Sequence, residues 1–498
     1  MLHRFFLFAF LFGSTLLAPA VTFRDFSGVC QGGDGSLKQP YWDTLAGWNR
    51  IDIAWNAAEP VEGQYNEAYL KKVYSSIRKN LDRGVKMLPM LGYAPGWASR
   101  DGEYVFTCGD SRKVYNKLDG NEYRLREFKK EKNGGWVPRT DKAGNPIDKT
   151  VRNPRIPLAP ENIAKWQAFI RRVVSDLRAE PYRLEYFQIW NEAHPKSGFY
   201  DGEMQEYLKN IHLPAAEAIR DLGGKVVYGG YPCCGAVDAL ARDLTKAKAW
   251  NSLDVIDIHY FPEWCMDYLR RKAAENGNPG IGVWQTEIVF HRNYYAVAQI
   301  YPNVLYRGLT HNWKNIDRYK LFFFAFGSPD DPKAYGYGKC LLAGTTLTPH
   351  GKALETLADI FGSEELAAYD RIVSIPKLDF ANKGDRISGF RFGNKILVAV
   401  NFDAKTRENQ EKEGLEVLKL TFPGLKTEQV NSAVRIGVFG ERRDLAVQTL
   451  PDGVTLEVPL AEEESNRYSD KFLNEKSLRR PAFYTLLELK CSRLRDRT

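Results

Sequence analysis

Leu184-Glu185-Tyr186-Phe187-Gln188-Ile189-Trp190-Asn191-Glu192 is a short apolar run that closes on an amide and a carboxylate. Its length and its aromatic content read as a buried strand. A second run of the same kind, Gly282-Val283-Trp284-Gln285-Thr286-Glu287, also ends in a carboxylate. Working outward from these two, further candidate strands fall at Phe23–Val29, Arg50–Trp55, Val85–Leu91, Lys225–Gly229, Val255–His259 and Tyr319–Phe326. Helical periodicity fills the intervals. Tyr69, Leu70, Val73, Tyr74, Ile77 and Leu81 recur at 3.6-residue spacing, as do Ile163, Trp166, Ile170, Val173 and Leu177. Strands alternating with helices predict a parallel sheet. Eight such units between residues 21 and 362 predict a (β/α)8 barrel. The competing fold, an open doubly wound sheet, lacks the Gly-rich phosphate loop expected after its first strand.

The 498 residues exceed one ordinary domain. After Phe361-Gly362 the texture changes. Ile387–Phe390, Lys395–Asn401, Leu415–Leu420, Ala433–Val438, Val454–Val458 and Phe483–Leu489 read as short strands between turns, so residues 363–498 are expected to form an antiparallel β-sandwich. Residues 1–20 are expected to be a secretory signal peptide. Arg4 precedes the apolar run Phe5–Leu17, and Ala18-Pro19-Ala20 has the small-x-small pattern of a cleavage site. That run is shorter than the roughly 20 residues a membrane span needs. The expectation is therefore a secreted or periplasmic protein without stable membrane insertion. Seven cysteines, an odd count, leave at least one thiol unpaired, and Cys233-Cys234 lacks the spacing of a zinc or thioredoxin motif.

A net charge of +8 is modest for a chain of this length, and no basic arm, zinc-finger spacing or helix-turn-helix pattern accompanies it. Nucleic acid is not expected as a partner. The segment Arg100–Arg155 holds 14 Lys/Arg against nine Asp/Glu, with Tyr104, Phe106, Tyr115, Tyr123, Phe128 and Trp136 interleaved. It shows little periodicity and reads as a loop-like insertion after the third strand. Loops there lie on the catalytic face of a barrel, so it is expected either to help bind an acidic or extended glycan or to be a solvated loop.

Glu192 ends the fourth predicted strand and Glu287 the seventh. In a small barrel these ends face each other across the mouth. Two facing carboxylates in unequal environments are the machinery of glycosidic cleavage: one holds a proton for the leaving oxygen, the other attacks as an anion. Asn191 is placed to bind a sugar hydroxyl. Arg50 opens the second strand and would keep Glu287 ionised. His259 and Tyr260 end the sixth strand, next to the seventh, where either could hydrogen-bond the Glu287 carboxylate. Trp97, beyond the third strand, is a candidate sugar-stacking platform, and Trp284 is counted among the candidate substrate-binding residues. Taken singly, each of these residues also has an ordinary structural reading: a surface Glu, a packed His, a core Trp.

The combination resembles clan A glycoside hydrolases, most closely family 39. The matching pieces are Arg50…Trp55…Glu59-Pro60…Gly63-Gln64-Tyr65, Leu88 to Ala98, Trp190-Asn191-Glu192 and Gln285-Thr286-Glu287. The resemblance implies a (β/α)8 barrel with a β-sandwich, Glu192 as general acid/base, Asn191 on the sugar 2-hydroxyl and Glu287 as nucleophile. The chain departs from the family pattern at Ala193-His194, where Pro usually follows the acid/base, and at Ala325-Phe326-Gly327, which lacks the usual Trp.

No metal or organic cofactor is implied, because protons and a carboxylate suffice for this chemistry. A zinc-dependent barrel would need several His or Asp ligands at strand ends. Of seven histidines only His259 stands there, with His194 and His291 just beyond. A non-catalytic glycan-binding protein on the same scaffold is the alternative from another class. Either way the expected partner is a carbohydrate.

Overall fold

The computed structural model describes residues 22–32, 45, 47–289, 294–310, 319–328, 340–380, 386–402, 416–459 and 483–492. The predicted signal segment and His291 lie outside them. Among the described residues no helix is long and apolar enough to cross a membrane.

Eight parallel strands close into a ring: β1 (Ser27–Cys30), β2 (Trp48–Ala54), β3 (Lys86–Gly92), β4 (Tyr186–Ile189), β5 (Lys225–Val227), β6 (Val255–His259), β7 (Gly282–Ile288) and β8 (Tyr319–Phe324). The pairings β8–β1 and β5–β6, the latter through Val227 and Val255, leave no free edge. This is the predicted (β/α)8 barrel. One expected strand is corrected: Phe23–Phe26 is a single helical turn, capped reciprocally by the Thr22 and Asp25 side chains, and only Ser27–Cys30 enters the sheet.

Inward side chains from seven strands fill the barrel: Trp48, Leu88, Tyr186, Val227, Val255, Trp284 and Phe322. Trp284 meets Trp48 at 5.5 Å and Tyr186 at 5.0 Å between ring centroids. The first strand contributes Gly28, because a Cβ there would stand 2.5 Å from the Phe322 ring. Helices α1 (Glu67–Leu81) and α2 (Ile163–Arg178) lie where the periodicity put them. They bury Leu70, Val73 and Ile77 on one, and Trp166, Ile170, Val173 and Leu177 on the other.

The C-terminal region forms two mainly antiparallel sheets. One is built around Arg386–Phe392, Lys395–Phe402, Phe483–Cys491 and Val430–Ile436, the other around Val417–Pro423 and Gly453–Pro459. Strand alternation makes both faces of the first sheet apolar. Ile396, Val398 and Val400 point into the sandwich core, whereas Leu397 and Ala399 join the barrel's core with Phe390, which meets Phe361 edge-on at 5.0 Å. All seven cysteines are free thiols, four of them buried.

The insertion is not the irregular loop expected from its composition. Glu103–Cys108, Ser111–Asp119, Glu122–Lys130, Trp136–Pro138 and Asp148–Arg152 form an antiparallel sheet, with Tyr115, Tyr123, Leu125 and Ile156 as a small core of their own. Cross-strand ion pairs hold its polar face. Arg124 pairs with Asp148 at 2.7 Å and Arg152 with Glu122 at 2.8 Å. The sheet is tied to the segment after β4 by Lys113 on Asp201, 2.8 Å, and by Arg100 on Glu206.

Candidate active site

The polar groups gather at the C-terminal ends of β4, β6 and β7, with Arg50, the third residue of β2. Trp190-Asn191-Glu192 leaves β4 through a strained turn, with Trp190 at φ 66° and Glu192 at φ 44°. Bulky residues avoid this left-handed region unless their surroundings impose it, and such strain collects at functional sites. Here the Glu192 amide donates to the Gly229 carbonyl at 2.8 Å. A Cβ on Gly229 would meet the Ile189 carbonyl at 2.1 Å, so only glycine lets the chain after β5 come close enough.

On β7 the pairing register with both neighbours shifts next to Glu287, between Gln285 and Ile288 against β8 and opposite Asp257–His259 against β6. A bulge re-aims side chains. Thr286 turns to Asp257, and the next residue, Glu287, still reaches the mouth. Arg50 is 2% exposed and lies between the two strands that carry the carboxylates. Its Nη1 donates to Glu287 Oε1 at 2.5 Å and its Nη2 to Asn191 Oδ1 at 2.6 Å. A guanidinium only donates, so Asn191 must present its oxygen to Arg50; its NH2 faces the Tyr93 hydroxyl and has a second N–H to offer a ligand. The Tyr260 hydroxyl donates to Glu287 Oε2 at 2.8 Å.

His259 links the second carboxylate to a buried network. Its Nδ1 lies 3.0 Å from Glu192 Oε1, and its Nε2 lies 3.2 Å from Asp257 Oδ2 and 3.3 Å from Thr286 Oγ1. Asp257 also accepts from the Thr286 amide at 2.8 Å and from Gln188 at 3.1 Å. Burial by itself would push the imidazole down. The charges of Glu287 and Asp257, with hydrogen bonds to Asp257 and Glu192, outweigh it and push His259 up to about 9. His259 is therefore a cation at neutral pH, donating from both nitrogens. Burial would likewise push Glu287 up, but His259 and Arg50, helped by the Tyr260 hydroxyl, hold it below the ordinary carboxylate value.

Oxygens of Glu192 and Glu287 and a nitrogen of His259 all lie within 4.8 Å of one another. Three such atoms are also a conceivable ligand set for a cation. The donor chemistry argues otherwise: Arg50 already supplies positive charge to one Glu287 oxygen and Tyr260 donates to the other.

One expected binding residue, Trp284, is placed differently. Trp284 is fully buried among Trp48, Tyr186 and Phe322 below the carboxylates, because two-residue alternation puts it in the barrel's filling layer. It has no surface for a substrate. Trp97 is half-buried: Trp55 meets it edge-on at 5.3 Å, Lys165 lies over its ring, and its Nε1 donates to the Glu59 carbonyl at 3.0 Å. The Trp55…Glu59…Gly63 motif is similarly a clamp, in which Glu59 accepts from Trp55 Nε1 and the Gly63 amide, each at 2.8 Å. His259 binds Glu192, whereas Tyr260 takes the Glu287 contact. His194 turns to Tyr231 and Cys234.

Sequence reading missed Asp257, Thr286 and Gly230. Alternation along β6 was the available signal, since it puts Asp257 on the same inward face as His259. A Cβ on Gly230 would stand 2.3 Å from the His259 ring, and its φ of +57° also favours glycine.

No protein-family model matches the chain. A β-xylosidase from Caldicellulosiruptor saccharolyticus is 30% identical over 109 residues, which is 21% of this chain and 22% of that protein's length. Among solved structures, a monomeric β-xylosidase from Caulobacter crescentus CB15 superposes with a TM-score of 0.53 at 14% identity, covering 95% of this chain and 98% of that one. A family 39 glycoside hydrolase from Bacteroides cellulosilyticus WH2 gives 0.52 at 13% identity, covering 95% and 83%. A family 30 endoxylanase from Clostridium papyrosolvens C71 gives 0.52 at 11% identity, covering 95% and 97%. At these identities the likeness is one of fold: the chain shares the architecture of family 39 and family 30 enzymes.

Proposed function

We propose that the protein is a retaining glycoside hydrolase that cleaves O-glycosidic bonds of oligo- or polysaccharides, with Glu192 as general acid/base and Glu287 as nucleophile. The observation that carries the reading is the carboxylate pair itself. The two carboxylates stand on opposite sides of one mouth with oxygens within 4.8 Å, and only Glu287 is clamped by Arg50 and Tyr260. That closeness supports retention, which works with carboxyl groups about 5–5.5 Å apart, over inversion, which needs about 6.5–9.5 Å to admit a water.

In the first step a Glu287 oxygen attacks the anomeric carbon while Glu192 gives its proton to the departing oxygen. The bond to the leaving group breaks and a glycosyl ester forms. In the second step Glu192, now a base, takes a proton from water; the hydroxyl adds to the anomeric carbon and Glu287 leaves as carboxylate. Asn191 donates the N–H not taken by Tyr93 to a sugar hydroxyl. The His259 cation beside Glu192 stabilises the carboxylate left after proton transfer. The β-xylosidase and xylanase names of the similar proteins support a carbohydrate substrate. The N-terminal pattern supports export.

Proton NMR of the first-formed product tests the reading. Retained anomeric configuration is expected, along with loss of several orders of magnitude in Glu287→Ala. Azide should rescue Glu192→Ala with retention on substrates with good leaving groups. An anomer opposite to the substrate's overturns the retaining assignment. Glycan binding without turnover would leave the alternative, a non-catalytic binding protein.

A further inference from the structure

Most basic side chains of the insertion are neutralised by neighbouring carboxylates, as with Lys113, Lys117, Arg124 and Arg152. Arg155, where the insertion returns to the barrel, is one of the minority without such a partner, and it stands beside the site. Among the described residues its guanidinium has no carboxylate partner, and its one hydrogen bond runs from Nη1 to the Gly198 carbonyl at 3.4 Å. It lies instead against two rings, 4.9 Å from the centroid of Tyr93 and 4.3 Å from that of Phe199. Its backbone carbonyl accepts from the Asp201 amide at 2.7 Å, which fixes where the side chain starts.

Those rings belong to the site. Tyr93 follows β3 at φ 59°, and its hydroxyl bonds the side chain of Asn191. Phe199 lies in the segment after Glu192, and its carbonyl accepts from Trp190 Nε1 at 3.1 Å. The Arg155 charge also reaches Asp52, the inward residue of β2 two positions beyond Arg50. A guanidinium held on aromatic faces keeps its charge, and stacking leaves its in-plane N–H groups, apart from the Nη1 contact to Gly198, to hydrogen-bond a ligand. A planar fork of N–H groups fits an oxyanion through two parallel hydrogen bonds. A cation here also offsets the repulsion an anionic ligand would meet from Glu287 and Asp52.

We propose that Arg155 is a specificity-determining residue that recognises an oxyanion substituent, a carboxylate or a sulfate, on the sugar bound at this mouth. The inference rests on the glycosidase reading and narrows it to acidic glycans.

The test uses the full-length protein and 4-methylumbelliferyl glycosides in matched pairs: xyloside, glucoside, glucuronide, iduronide and glucoside 6-sulfate. The wild type should favour an acidic member over its neutral counterpart in kcat/KM. Arg155→Gln should lower that preference about tenfold or more, the worth of a charge-assisted hydrogen bond. Arg155→Lys should restore only part of it, because lysine keeps the charge but not the fork. A preference for uronides alone identifies carboxylate, and one for the sulfated glucoside identifies sulfate. Preference for neutral substrates, or equal losses on both members of a pair in Arg155→Gln, overturns the proposal. If no glycoside is cleaved, the glycosidase reading fails separately. Calorimetric binding of oligogalacturonate and heparin oligosaccharides to wild type and Arg155→Gln then decides the role of Arg155: weaker binding by the variant supports it, and unchanged or absent binding overturns it.

Discussion

Replacing Tyr260 by Phe removes one oxygen and leaves the ring in place, so it isolates a single contact of the nucleophile. Glu287 would keep Arg50 on Oε1 at 2.5 Å and His259 Nδ1 at 3.8 Å from Oε2, but lose the 2.8 Å donor on Oε2. A hydrogen bond to a charged group is worth about 1.5–3 kcal/mol, so kcat/KM should fall about 10- to 150-fold if the contact orients the attacking carboxylate. The pH profile carries a second signature. The Tyr260 hydroxyl is among the groups that hold Glu287 below its ordinary value, and its loss lets that carboxyl move up. The nucleophile must be ionised, so the acid limb of kcat/KM should shift to higher pH. Initial rates on an aryl glycoside from pH 3 to 8 measure both effects, with thermal unfolding to confirm that the variant is folded. A folded variant with an unmoved acid limb and a loss below about threefold would refute the argument.

Protonated His259 should make stability depend on pH. Its folded value of about 9 exceeds the ordinary 6.5, so the stabilisation is complete below about 6.5 and is lost as pH rises through 9; denaturant midpoints flat across that window would contradict it. Gly230→Ala should cost about 1–3 kcal/mol and most of the activity, because the new Cβ meets the His259 ring and φ is +57°; a wild-type melting temperature and rate would show that the ring has room to move. The exported protein should start near Val21, and N-terminal sequencing that finds Met1 in secreted material would refute the signal-peptide reading.

The barrel was legible in the residue order because its signals are local. A buried strand shows as a short apolar run and a covering helix as a 3.6-residue stripe, whatever the chain does elsewhere. A polar residue opening or closing such a run is equally visible, which is why Arg50, Asn191, Glu192, His259, Tyr260 and Glu287 could be named in advance. What they touch could not. The Arg50–Glu287 contact joins residues 237 apart and the His259–Glu192 contact residues 67 apart. No periodicity encodes such pairings. The bulge on β7 depends on registers with two neighbouring strands at once, and it turns Thr286 to Asp257 while Glu287 still reaches the mouth. Trp284 was a candidate substrate-binding residue, and only barrel closure buried it. The insertion escaped notice as a sheet because its charge and glycine content read as a loop, although Glu122-Tyr123-Arg124-Leu125-Arg126 carries the alternation of a half-buried strand. Charge counting showed that the segment is basic. Only the folded arrangement separates the cations its own carboxylates neutralise from Arg155, which meets two aromatic rings at the mouth of the site.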